Sequence, residues 1–256
     1  MAATPAVSLR DVRVILGGNV ALDGITLDVP AGQRVALVGP SGAGKTTALR
    51  LCTGSVAVTS GTVLVLGSDL DAASAPELRA VRRRIGSVYQ QLHLVASLRV
   101  IHNVNAGRLG AWSRRRALRS LVRPLDIDAA RDALARVGIA DKLLDRTDQL
   151  SGGEQQRVAL ARVLVQEPDL ILADEPVSSL DPARAAEVVD LLVAVASGDE
   201  GRGPPRTLVV SLHDFELARE KCDRVVGIRS GRVLFDLAAA EVTDEVGADL
   251  YRIDSG

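Results

Sequence analysis

Two stretches of this chain hold residue types suited to a phosphate chain. GPSGAGKT, Gly39 to Thr46, fits G-x-x-x-x-G-K-[ST] between an apolar run, QRVALV, and a helix-like one, TTALRLC. Glycines there free backbone N–H groups to wrap a phosphate, a lysine reaches the outer phosphates, and a threonine hydroxyl suits magnesium. Gly39, Pro40, Ser41, Gly42, Ala43, Gly44, Lys45, Thr46 and Thr47 are thus the expected phosphate-binding residues. LILADEP is an apolar run ending in adjacent acids, Asp174 and Glu175. Buried carboxylates are costly unless a cation or a polar partner compensates. Asp174 is expected to hold magnesium through its water shell, and Glu175 to orient an attacking water.

A third stretch, LSGGEQQ from Leu150 to Gln156, opens a helix-like run with a serine and two glycines. Unpaired N–H groups and the positive dipole end could receive an anion, and the serine could equally be a plain N-cap. One nucleotide does not need two such cradles.

The elements that must position these residues follow from hydrophobic pattern. VSLRDVRVIL, ITLDV and GTVLVLG alternate like antiparallel strands, with GG and PAG as turns. QRVALVG, RIGSVYQ, DLILAD and RTLVVSLH are more uniformly apolar, as strands of a covered parallel sheet are. Residues from about Ser97 to Gln149 are polar and helical, without a buried strand; DRVVGIRSGRVLFD reads as a hairpin, TDEVGADLYR as a closing helix and SGDEGRGPP as a surface loop. Ligands gather at the carboxyl ends of parallel strands. Four strands therefore bring Gly39 to Thr46, Gln90, Asp174 with Glu175, and His213 to one edge.

A chain of 256 residues can bury one large core with a smaller subdomain. The expected division is residues 1–90 and 151–256 as a catalytic core with an antiparallel β subdomain, and 91–150 as a helical subdomain. Net charge −1 argues against a general nucleic-acid binder. Cys52 and Cys222 lack metal spacing and read as buried small apolar residues. No uncharged apolar run of about 18 residues occurs, so neither a membrane span nor an export signal is expected.

The ordered set GPSGAGKT, VYQQ, LSGGEQQR, LILADEP, SSLD and SLHD resembles the nucleotide-binding subunit of ATP-binding cassette transporters, over essentially the whole chain. The resemblance implies an α/β P-loop ATPase with a RecA-like parallel-sheet core, an antiparallel β subdomain and a helical subdomain. It implies ATP and Mg2+ as cofactors, with Thr46, Gln90 and Asp174 toward the metal and Lys45, Gln90, Glu175 and His213 as the catalytic set. Gln90 would sense the γ-phosphate and the membrane partner, Asp181 would lie in the D-loop, and His213 would contact the γ-phosphate. Ser151, Gly152, Gly153 and Glu154 would face ATP held by an opposing subunit, making ATP the glue of a homodimer.

NVNAGRLG with Trp112 after it, ILADEPVSSLDPA, SLHDFELARE and DRVVGIRSGRVLFD are similar to the ATPases of phosphonate importers. That likeness implies import of a phosphonate or related phosphorus oxyanion through integral-membrane permease subunits, fed by an extracytoplasmic solute-binding protein. The chain would lie peripherally on the cytoplasmic face of the membrane. A soluble cassette of a phosphonate-degrading assembly and an exporter or lipoprotein-release ATPase are the alternatives. Arg114, Arg115, Arg116, Arg119 and Arg123 form either a solvated face or a contact with permease loops or anionic lipid heads.

Cassette ATPases usually stack an aromatic on adenine, whereas the first strand region here reads VRVILGGNVAL. Ile15 or Leu16 would have to cover the base by apolar contact alone, which distinguishes purines poorly. GTP is expected to compete with ATP within about tenfold, since apolar contact carries no hydrogen-bond discrimination; competition binding with a labelled nucleotide tests this, and a strong ATP preference contradicts it.

Overall fold

The computed structural model describes residues 4–178, 181–198 and 205–251. Along the chain these form β1 (Val7–Leu16), β2 (Asn19–Val29), β3 (Arg34–Val38), α1 (Lys45–Cys52), β4 (Ser60–Val65), β5 (Ser68–Asp69), α2 (Ala75–Arg83) and β6 (Ile85–Tyr89). Then come α3 (Val100–Asn105), α4 (Arg114–Val122), α5 (Ile127–Arg136), α6 (Gly152–Gln166), β7 (Leu170–Asp174), α7 (Pro182–Ser197), β8 (Thr207–Leu212), α8 (Phe215–Lys221), β9 (Arg224–Arg229), β10 (Arg232–Ala238) and α9 (Asp244–Tyr251). Of the expected surface loop SGDEGRGPP, residues 199–204 lie outside the described residues, as do Ser179 and Leu180 of SSLD.

The larger sheet has six strands in the order β10-β9-β3-β8-β7-β6. All neighbours are parallel except β9 and β10. The four expected parallel strands are there, and β9, expected only as a hairpin arm, also pairs in parallel with β3. Their uniform apolarity has a simple cause, because successive side chains point to opposite faces and both faces are covered. Val35, Leu37, Leu170, Leu172 and Val209 enter one core, with α1 and the smaller sheet. Ala36, Val38, Ile171, Ala173, Leu208 and Val210 enter the other, with α3, α5, α6 and α7.

The smaller sheet runs β2-β1-β4-β5. Its β1–β2 hairpin turns on Gly17 and Gly18, both at positive φ (55° and 85°), the conformation a two-residue hairpin turn requires. The turn is tight enough to pair Leu16 with Asn19, so β2 starts six residues before the expected ITLDV. Asp23 N–H donates to Gly231 O (2.8 Å) and Gly231 N–H to Ala43 O (2.9 Å), fastening this sheet to the phosphate loop. Helix α2 was absent from the hydrophobic pattern. Its start nevertheless carries a capping box, Ser74 with Glu77, and a proline in the first turn.

The region expected to be helical holds α3, α4 and α5, with no strand among the described residues beyond an isolated bridge between Arg99 and Arg146. Val100, Ile101, Val104, Ala130 and Leu134 pack in the same core as Ile171 and Val210. α6 joins them, with Val158, Leu160 and Ala161 fully buried.

Guanidinium–carboxylate pairs lace the sheet margins: Arg10 with Asp28 (2.6 Å), Arg232 with Asp23 (2.5 Å), and Arg34 with Asp223. Hydrogen bonds from these arginines hold the Asp23, Asp28 and Asp223 carboxyls below the usual carboxylate range. A carboxyl lowered on folding adds stability above its unfolded pKa, about 4, and loses it as pH falls through the folded value. The thermal midpoint is expected to hold from neutrality to about pH 5 and to fall below about pH 4; a midpoint unmoved at lower pH contradicts this.

Candidate active site

The phosphate loop leaves β3 at Gly39, where a Cβ would stand 2.0 Å from Ile228 O, so β9 leaves space for glycine only. α1 begins after Gly44 with no side-chain cap and no acid in its first turn. Its first N–H groups and dipole are thus unopposed for an anion. Lys45 is buried, and its Nζ donates to Gly39 O (2.8 Å) and Pro40 O (3.1 Å) while lying 3.7 Å from Glu175 Oε1. Burial lowers its pKa, partly offset by Glu175 and Asp174. Ser41 and Gly42 are exposed at the loop's tip, and Ala43 is buried beneath it.

The acid pair sits at the end of β7. Asp174 Oδ1 accepts hydrogen bonds from Thr46 Oγ1 (3.0 Å) and Ser211 Oγ (2.9 Å). Ser211 in turn accepts from the Glu175 backbone N–H at 2.8 Å. Glu175 has φ +45°, a left-handed conformation that costs a residue with a Cβ about 1–2 kcal/mol. The side chain it aims makes the site's main junction, with His213 Nε2 at 2.7 Å from Glu175 Oε1. Tyr251 Oη donates to His213 O (3.0 Å), tying α9 to the histidine.

Ser211 and Tyr251 were not among the expected site residues. Ser211 left a trace, a single hydroxyl inside the apolar run TLVVSL that is fully buried. Tyr251 left none, because only the packing of α9 brings it to His213.

Other expected residues stand apart from this cluster. Gln90 is exposed and makes no hydrogen bond among the described residues, although Tyr89 is paired with Asp174 across the sheet. The segment after it is pinned by Arg162 of α6, which donates to Leu92 O (2.9 Å) and His93 O (3.1 Å) and whose pKa burial lowers. Ser151 caps α6. Its N–H and hydroxyl donate to Glu154 Oε2, both at 2.8 Å, which holds the Glu154 carboxyl below its usual range. A Cβ on Gly152 or Gly153 would meet nothing within 4 Å. Packing within the chain therefore does not require glycine there. Asp181 caps α7 by accepting from Arg184 N–H at 3.1 Å. Ile15 and Leu16 are 41% and 42% exposed at the β1–β2 tip.

Among the described residues no three His, Cys, Asp or Glu side chains gather as a metal cluster, and no helix is long and apolar enough to cross a membrane. The Thr46–Asp174 oxygens suit an ion that takes one carboxylate and draws its other ligands from phosphate and water. Cys52 and Cys222 are buried, and burial pushes both thiols up to about 12.

The sequence profile of ABC transporters matches residues 22–178, which include the phosphate loop, the Ser-Gly-Gly helix start and the acid pair. The chain belongs to the ABC transporter family. As a member it is an ATP-binding cassette of α/β fold. It is 48% identical over 252 residues to the phosphonates import ATP-binding protein PhnC of Anaeromyxobacter dehalogenans, covering 98% of this chain and 49% of that one. The chain thus spans about half the length of that relative. It is 49% identical to PhnC 2 of Pseudomonas aeruginosa, covering 88% of this chain and 82% of the relative. Among solved structures it is similar to cbiO1 of Clostridium perfringens, part of the ABC transporter complex cbiONQ, with TM-score 0.78, 28% identity, and 97% and 96% of the two chains covered. The cassette MJ0796, a dimer in a post-hydrolysis state with ADP and Pi, gives TM-score 0.71 at 29% identity over 91% of this chain and 98% of that one.

Ser211→Ala in this cassette removes the only side-chain partner of the Glu175 N–H among the described residues. An unmatched buried donor costs about 1–3 kcal/mol. Denaturant melts should show that loss, and kcat should fall at least about tenfold, as expected of a group that positions the carboxylate expected to orient the attacking water; unchanged kcat with lowered stability contradicts the positioning role.

Proposed function

We propose that this chain is the ATP-hydrolysing subunit that powers import of a phosphonate or related phosphorus oxyanion through a membrane permease. The observation that carries the catalytic part is the Glu175 carboxylate, 2.7 Å from His213 and 3.7 Å from Lys45 at the mouth of an uncapped phosphate loop. The cargo class is supported by the phosphonate-import names of the relatives, since the cassette itself lies away from the cargo.

Gly39 to Thr47 wrap the phosphates of ATP, and Lys45 exchanges the loop carbonyls for the outer phosphate oxygens. Thr46 and Asp174, joined by Gln90 once its exposed segment closes on the site, would hold Mg2+, which would supply neutralising charge to the transferred phosphoryl group. Glu175 orients a water for in-line attack and takes its proton, while His213 steadies the carboxylate and faces the γ-phosphate. The left-handed backbone of Glu175 fixes that aim before substrate arrives.

Two copies act together, Ser151, Gly152, Gly153 and Glu154 of each facing the ATP held by the other, with Asp181 at the same seam. Open space at both glycines supports this, because a phosphate must reach the backbone N–H groups from outside the chain. Residues 91–150 form the helical subdomain that moves against the core of 1–90 and 151–256. A groove of about 980 Å³ lined by Tyr89, His93, Gly107, Trp112 and Arg162 lies beside the Gln90 segment and suits a permease segment. The dimer sits on the cytoplasmic face of the membrane, and a solute-binding protein delivers cargo to the permease on the far side.

Glu175→Gln keeps size and hydrogen bonding but cannot take a proton. ATP binding should persist while turnover falls about 10²–10⁴-fold. A strain carrying only this variant should lose growth, and uptake of labelled compound, on a phosphonate but not on phosphate. Growth lost with uptake intact would favour a degrading assembly, and wild-type growth and uptake without a second importer would reject the cargo.

A further inference from the structure

Helix α4 is capped by Ser113, which accepts from the Arg116 N–H (3.3 Å), yet its charges are placed against its stability. Three arginines, Arg114, Arg115 and Arg116, fill its first turn with no acid among them, at the end where the helix dipole is already positive. Arg115 and Arg119 repeat the same charge at i,i+4, which destabilises an isolated helix. Arg116 has partners, Asp126 at 2.5 Å and the Trp112 ring at 5.3 Å. Arg114, Arg115, Arg119 and Arg123 have none among the described residues. On the same face Leu118 is 68% exposed and Val122 90% exposed, one helical turn apart. Neither the fold nor the ATP site uses this face.

We propose that the α4 face of Arg114, Arg115, Leu118, Arg119 and Val122, with Arg123 just after the helix end, binds the anionic phospholipid headgroups of the membrane beside the permease. Charge complementarity names the occupant. The whole chain carries −1, so attraction to an anionic surface must come from a local patch, and here free arginines flank an apolar pair. That is the composition of a surface-lying amphipathic helix, arginines on phosphate and aliphatic side chains at the acyl boundary. Arg119 and Arg123 also line a depression of about 610 Å³ next to α5. Its acids do not cancel them, because Asp126 is held by Arg108 and Arg116, and Asp128 by Arg131. Trp112 and Arg116 continue into the groove assigned to the permease, so the placement beside the membrane rests on the transport reading.

The test is sedimentation of the full chain with vesicles of phosphatidylcholine alone or mixed with phosphatidylglycerol. Each basic residue near such a surface contributes about fivefold in affinity, so binding to the anionic vesicles should be at least about tenfold tighter and should weaken with salt. Reversal of Arg114, Arg115, Arg119 and Arg123 to Glu should abolish that preference while ATP hydrolysis in solution stays at wild-type rate. Leu118→Ser with Val122→Ser should weaken binding and keep the preference. Equal pelleting with both vesicle types, or wild-type binding by the reversed variant, overturns the proposal. Binding only to vesicles that hold the permease, weakened by the reversal, also overturns it and assigns the arginines to permease loops. The phospholipid-only vesicles contain neither permease nor nucleotide, so failure of binding to them leaves the transport reading standing, and failure of the transport test leaves the lipid contact standing.

Discussion

The Glu175 carboxylate is the junction on which the rest of this structure depends. It joins the ends of three strands, receiving His213 from after β8, facing Lys45 from the start of α1 after β3, and standing itself at the end of β7. Such a junction requires parallel strands, because only then do consecutive βα units deliver their loops to one edge. It also requires a backbone that turns the side chain back over the sheet. The left-handed φ of Glu175 supplies that turn, and Ser211 holds the peptide N–H in place.

The two helix starts rich in glycine differ in a way that separates their roles. α1 leaves its N–H groups uncapped, and its loop glycines are dictated from within, since Gly39 and Gly44 have no room for a Cβ and Gly42 stands at φ +78°. α6 caps itself through Ser151 and Glu154, and its glycines face open space. A cradle built around a resident ligand must shape its own backbone closely. In the proposed dimer, a surface that meets a ligand held by the other copy needs only to stay small and exposed.

α6 is the element through which these parts are mechanically joined. Gln156 donates to Pro176 O, immediately after the acid pair, and Arg162 donates to the carbonyls of Leu92 and His93. Its apolar side chains lie in the core shared by α3, α5 and the parallel sheet. α6 thus touches both the acid pair's segment and the Gln90 segment, a direct connection for the movement proposed above. The face of α4 lies outside this system, which is why its exposed charge and aliphatic groups point to a surface beyond the chain.

The residues that could do chemistry were legible in the sequence because their constraints are local. A phosphate loop must carry glycines and a lysine at fixed spacing, an acid pair at the end of an apolar run stands out from what burial allows, and a covered parallel strand must be apolar on both faces. Even α2 had left its S-x-x-E capping signal. What the chain order could not contain is which distant groups meet. Ser211 bonds to Asp174 and Glu175 from 36 or more residues away, Tyr251 reaches His213 only because α9 docks on the sheet, and β9 finds β3 in parallel although Val35 and its partner Arg224 stand far apart in the chain. Spacing and burial pattern act through neighbours and so are written along the sequence; contacts between strand ends depend on sheet order and packing, which only the tertiary structure decides.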